Sequence, residues 1–119
     1  MSPHDKPLVW LHGQVKSPPM AASGRLEMGF LLRRLQRGDF IAPPHSKPLP
    51  TVGKLCHELR VLDARGNWRL IYRVEPDAIV ILEVFSKKTQ KTPALVIENC
   101  RARLKEYENA CKQEKASRR

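Results

Sequence analysis

Between residues 55 and 93 the chain reads LCHELRVLDARGNWRLIYRVEPDAIVILEVFSKKTQKTP, and this stretch constrains the fold more than any other. Three apolar-rich runs are separated by two short polar turns, a spacing that predicts three consecutive strands. In Leu55 to Leu62, alternation puts Leu55, His57, Leu59 and Val61 on one face and Cys56, Glu58, Arg60 and Leu62 on the other. Asp63-Ala64-Arg65-Gly66-Asn67 forms a hairpin loop in which Gly66 can take a positive φ. Trp68 to Glu75 alternates again, with Trp68, Leu70, Tyr72 and Val74 set against Arg69, Ile71 and Arg73. Pro76-Asp77 makes a tight turn, and Ala78 to Phe85 is almost continuously apolar, as in a strand buried on both faces. Ser86-Lys87-Lys88-Thr89-Gln90-Lys91 leaves the sheet as a basic loop.

The remainder supports that sheet. Pro7 to His12 is a short apolar run stopped by Gly13, which predicts a first strand, and Ser17-Pro18-Pro19 breaks it. From Ala21 to Arg37 the spacing is helical: Met28, Leu31, Leu32 and Leu35 share one side, Leu26 and Phe30 broaden the apolar stripe, and Gly38 is a natural stop. Residues 38 to 54 hold several prolines and no periodicity, so they are expected to form a long loop, either a functional one whose His45 and Lys47 reach a substrate or a merely structural, proline-stiffened crossover. Thr92-Pro93 predicts a helix start, Thr as N-cap and Pro at the first helical position. Ile97, Cys100, Leu104, Tyr107 and Cys111 then recur at intervals of three and four, giving a face that packs on the sheet or on the first helix. Residues 1 to 5 and 112 to 119 lack apolar anchors and are expected to be loose ends of a single domain spanning 1–119.

Charge narrows the classes of partner. Against 12 acidic residues stand 22 Lys and Arg, a net charge of +10, and such a field draws polyanions, of which nucleic acid is the commonest in a cell. An acidic protein would satisfy it equally. Three cysteines without CxxC spacing argue against a disulfide framework or a structural zinc site, so neither metal nor cofactor is expected. No apolar run is long enough for a membrane span and the N-terminus lacks a signal-peptide pattern, so the expected setting is cytoplasmic, with no membrane partner.

Arg69 and Arg73, four apart on one strand, project from the same face. Arg60 sits on the neighbouring strand, with its face dependent on register, and Lys87, Lys88 and Lys91 follow the next strand. Up to six cations thus gather around the sheet, with His57 or Glu58 as a nearby base. RNA cleavage asks little more of a protein. The 2′-hydroxyl is the nucleophile, and the enzyme orients it, removes its proton, neutralises the phosphate and protonates the leaving oxygen. Arginine suits the phosphate because its planar fork binds two oxygens and stays charged. A basic sheet face with aromatics is equally what a passive RNA-binding module presents.

The order HELRV, NWRLIYRV, EVFSKKTQKTP and a closing helix resembles the RelE/HigB superfamily of type II toxins, in particular its phage-related, HigB-like branch, over roughly residues 7 to 110. The resemblance implies an α+β fold, a small twisted antiparallel sheet with an N-terminal helix and a C-terminal helix packed on it. It implies a ribosome-dependent mRNA endoribonuclease whose partners are the ribosome, mRNA and a helix-turn-helix antitoxin. By the same resemblance Arg69, in Trp68-Arg69-Leu70-Ile71-Tyr72, matches the arginine on the scissile phosphate, and Lys87 or Lys88 matches the basic residue after the last strand. The resemblance thereby makes Arg69, Lys88 and His57 the catalytic candidates, His57 preferred to Glu58 as base, and the clustering of cations adds Arg60, Arg73, Lys87 and Lys91 as phosphate-binding ones. Where many relatives place Tyr or His beyond the last strand, this chain has Thr89-Gln90-Lys91-Thr92-Pro93-Ala94, so Lys88 or Lys91 has to stand in as acid. A related ParE-like branch poisons gyrase without cutting RNA, and a non-catalytic binding protein is therefore the alternative.

Overall fold

In the computed structural model, residues 5–11, 19–88 and 91–117 are described, and they build seven elements around one sheet. In chain order these are β1 (Leu8–Trp10), α1 (Ala22–Gln36), β2 (Ser46–Pro48), β3 (Cys56–Asp63), β4 (Gly66–Val74), β5 (Ile79–Ser86) and α2 (Ala94–Ser117). The sheet order is β1-β5-β4-β3-β2. From β2 to β5 every pairing is antiparallel, as expected, but β1 joins β5 in parallel, with Leu8 beside Ile79, so the whole sheet is mixed.

The β3–β4 hairpin is tighter than the loop expected from Asp63 to Asn67. Asp63 pairs with Gly66, leaving only Ala64 and Arg65 at the tip, and Gly66 takes φ +152°. Asp63 explains the tightness. One carboxylate oxygen accepts from the Arg65 and Gly66 amides (2.8 and 3.1 Å) and from the Trp68 indole (3.0 Å), and the other accepts from the Ala21 amide at 2.8 Å. Ala21 directly precedes α1 and has no side-chain cap of its own, so Asp63 both folds the turn and fastens the helix to it. Desolvation opposes ionisation of Asp63, but the donors, Trp68 foremost, outweigh it and hold its pKa below the usual carboxylate value.

The alternation in β3 and β4 sorts their side chains between two layers. Leu59, Val61, Trp68, Leu70 and Tyr72 pack with Met28, Leu31, Leu32 and Leu35 of α1. Cys56 and Ile71 face the other way, towards Cys100 and Leu104 of α2. α2 therefore lies on the sheet face opposite α1. Each fully buried Leu or Ile here contributes on the order of 1.5–3 kcal/mol. Burial drives the thiols of Cys56 and Cys100 up to about 11 and about 12.

β5 is buried through both layers, as its continuous apolar run predicts, and a bulge assists. Ile71 pairs with Glu83 but Tyr72 with Ile81, so Leu82 is an extra residue and two successive side chains turn towards α2. Leu82 enters the α2-side core, while Glu83 meets Arg103 at 2.8 Å.

Other expectations are adjusted. Ser46–Pro48 is a short edge strand inside the stretch read as loop. Leu26 and Phe30 do not join the core but lie exposed on the outer face of α1. Thr92 does not cap α2. Its hydroxyl donates to Glu58 at 3.0 Å, and the Pro93 carbonyl accepts the bond from Ile97. α2 continues through Ser117, beyond the expected fraying point at Lys112, and its last turns are exposed. Residues 1–4, 12–18, 89–90 and 118–119, which include the end of the expected first strand with Gly13 and Ser17-Pro18 after it, and parts of the basic loop and the tail, lie outside the described residues.

Candidate nucleic-acid interface

Register resolves the position of Arg60: it lies directly across from Arg69. Both project from the α2 side of the sheet, together with Glu58. α2 covers the Cys56–Ile71 end of that face and leaves the hairpin end open. The result is a basin of about 830 Å³ lined by Lys47, Arg60, Arg65, Gly66, Asn67, Arg69, Ser86, Lys87 and Lys88. Its lining holds six cations and no carboxylate.

Two like charges opposed across a ladder repel. The compensation comes from below. Glu58 is almost wholly buried, and its Oε1 lies 3.4 Å from Arg69 Nε and 3.7 Å from Lys87 Nζ. The side chains of Arg69 and Lys87 are each only 9% exposed, so both cations are held at the basin floor. Arg69 Nη1 donates to the Trp68 carbonyl at 3.0 Å, while its buried Nε has no hydrogen-bond partner. Burial, then Arg60 across the ladder, pulls the Arg69 pKa below the ordinary guanidinium value, with Glu58 opposing. Lys87 is also fixed through its backbone, which donates to the Asn67 carbonyl at 2.7 Å.

The expected residues divide. Arg69, Arg60, Lys87 and Lys88 come together in the basin. Arg73 does not, although it shares Arg69's face. Its guanidinium is drawn to Glu108 of α2 at 2.8 Å and to Glu75 at 3.2 Å, and it lines a groove beside α2 instead. Burial lowers the Arg73 pKa, but the Glu108 hydrogen bond and both carboxylate charges reverse this and raise it. His57 lies on the opposite face, stacked on Tyr72 with ring centroids 5.4 Å apart and planes at 19°. Its Nδ1 is 3.2 Å from the Leu55 carbonyl. The sheet itself separates His57 from Arg69. Lys91 is exposed and lies outside the basin lining.

The structure adds Arg65, and of the two loop residues expected within reach of a substrate it brings Lys47 to the basin but leaves His45 outside the lining. Arg65 was legible only as a turn residue, and Lys47 reaches the basin because β2 pairs beside β3, which the proline-rich sequence around it does not advertise. Glu58 was signalled by alternation, which places it on Arg60's face. Among the described residues no cluster of three or more His, Cys, Asp or Glu is placed to hold a metal ion, and no helix is long and apolar enough to cross a membrane.

Fold and basin together define a class: a small α+β protein with a strongly basic, uncovered end to one sheet face. The family model for Phage derived protein Gp49-like (DUF891) matches residues 20–105, from the segment before α1 into α2. The chain belongs to this Gp49-like family, which is part of the RelE/HigB-like toxin superfamily. The search of curated proteins finds no match.

Proposed function

We propose that this protein is the toxin of a type II toxin–antitoxin pair, a HigB-like, ribosome-dependent mRNA endoribonuclease acting in the cytoplasm. The observation that carries this reading is the nearly buried Arg69 opposed to Arg60 at the floor of a six-cation basin. A phosphodiester entering there meets the planar fork of Arg69 against its non-bridging oxygens, where negative charge grows as the 2′-oxygen attacks. Lys88, exposed on the rim, protonates the departing 5′-oxygen, while the proton of the attacking 2′-hydroxyl passes to solvent water in the open basin.

The basin lining contains no aromatic side chain, since Trp68 and Tyr72 are buried on the α1 side. A free strand would be gripped there by its phosphates, with half-buried Phe85, the ladder partner of Arg69, outside the lining. This supports a role for the ribosome in presenting the codon. The cognate antitoxin is a helix-turn-helix protein. Expression without antitoxin is expected to arrest growth and to produce cuts within translated mRNA, mapped by primer extension, and Arg69→Ala to abolish both. A folded Arg69→Ala protein of undiminished toxicity would refute the reading.

The placement of His57 away from the basin favours a second reading, a non-catalytic protein that binds nucleic acid or inhibits gyrase. It predicts intact mRNA under growth arrest, with loss of supercoiling activity identifying the gyrase case.

A further inference from the structure

Glu58 stands apart from the other residues around the basin. It is a carboxylate with a side chain only 5% exposed, set beneath a surface otherwise lined by cations. It touches three segments of the chain at once. Oε1 faces Arg69 of β4 and Lys87 at the end of β5, and Oε2 accepts the hydroxyl of Thr92, just before α2. Arg69 has little else to fix it, because its Nε has no hydrogen-bond partner and Nη1 bonds only to the adjoining Trp68 carbonyl.

We infer that Glu58 is a positioning residue: it aims Arg69 and Lys87 into the basin, ties the approach to α2 to them through Thr92, and withholds part of their charge from a bound strand. The inference rests on the reading of the basin as an RNA site. Glu58 lies below the lining and is not one of the groups that meet the phosphate. Removing its charge frees cationic charge for RNA while loosening the geometry of Arg69. Binding and cleavage are therefore driven in opposite directions, an outcome that a merely structural carboxylate does not produce.

The test uses the full chain and a short single-stranded RNA made uncleavable by 2′-O-methylation, followed by fluorescence anisotropy across a salt series. Glu58→Gln keeps the size and an acceptor for Thr92 but removes the charge. One more cation available to a single strand steepens the salt slope by about 0.7 and tightens binding roughly 5- to 10-fold at about 50 mM salt. Cleavage of translated mRNA by the same variant is expected to fall at least tenfold. Weaker or unchanged binding by folded Glu58→Gln overturns the inference, as does cleavage that persists at the native rate.

Thr92→Val serves should Glu58→Gln not fold. It cuts only the tie to α2 and is expected to keep RNA affinity within about twofold. Its cleavage is expected to fall, and the Arg69 Nε–Hε resonance to broaden in 15N-correlated spectra. A native resonance in Thr92→Val refutes the tie. Arg69→Ala separates the two levels: if it leaves RNA binding intact, the basin is not the RNA site. If it weakens binding while Glu58→Gln changes nothing, the role of Glu58 alone is wrong.

Discussion

Arg65 and Arg73 make a matched pair of arginines whose different surroundings yield different binding behaviour. Arg65 stands at the exposed hairpin tip and lines the basin, whereas Arg73 is tied to Glu75 and Glu108. The basin lining contributes Lys47, Arg60, Arg65, Arg69, Lys87 and Lys88, and Glu58 beneath it neutralises one charge. About five net positive charges facing a single strand give a slope of log affinity against log salt near −3.5, at about 0.7 per phosphate neutralised. Raising salt fourfold, from about 50 to about 200 mM, should then weaken binding by about a hundredfold. Arg65→Ala is expected to reduce the slope to about −2.8, and the loss over the same range to about fiftyfold. Arg73→Ala should leave the slope unchanged, because its charge is already spent on two carboxylates. The assay is anisotropy of a labelled, uncleavable single-stranded RNA over a salt series, with circular dichroism confirming that both variants are folded. An Arg73→Ala slope reduced as far as that of Arg65→Ala, or a wild-type slope close to −1, would refute the assignment of the basin.

Other outcomes follow from the same contacts. A Cβ on Gly24 would overlap the Asp63 carboxylate, so Gly24→Ala should force α1 off the hairpin and lower the melting temperature, at an overpacking cost of about 1–3 kcal/mol. Because Asp63 has a lowered folded-state pKa, its contribution is complete above the unfolded carboxylate value and is lost as pH falls through the folded one. Asp63→Asn should therefore flatten acid unfolding curves below about pH 4, and an unchanged acid limb would contradict the hub described for it. Under native conditions iodoacetamide should label half-buried Cys111 first, sparing Cys56 and Cys100 until denaturant is added, as peptide mass spectrometry can establish.

The sheet was legible where one simple periodicity governed the chain. In β3 and β4 a period of two separates Leu59 and Leu70 from Arg60 and Arg69, and the folded strands keep that division. Periodicity failed where the deciding contact was distant or the segment too short. The pull on Arg73 comes from Glu108, 35 residues away on a helix whose packing partner, the sheet or the first helix, the sequence left open. β2 is three residues long with one buried side chain, too little for alternation to register. The bulge at Leu82 is hidden because Ala78 to Leu82 is continuously apolar and offers no alternation for it to break. On α1, Leu26 and Phe30 look like core by composition, but the sheet meets the helix along Met28, Leu31, Leu32 and Leu35. Within the basin, the register sets Arg60 opposite Arg69, and the alternation already visible within β3 then leaves His57 on the other face.

The parallel pairing of β1 with β5 has a consequence for the order in which the molecule is completed. β2 to β5 join through successive antiparallel neighbours, and the basin draws every lining residue from this contiguous part of the chain. β1 is synthesised well before any of them, yet β5, its strand partner, arrives last of the strands, closing a loop of about 70 residues. During translation the cationic surface can therefore assemble before the outer edge of the sheet is sealed by the short docking of Leu8–Trp10. A destabilised β1 would expose the β5 edge and its apolar residues while leaving the strands that carry the basin joined to one another.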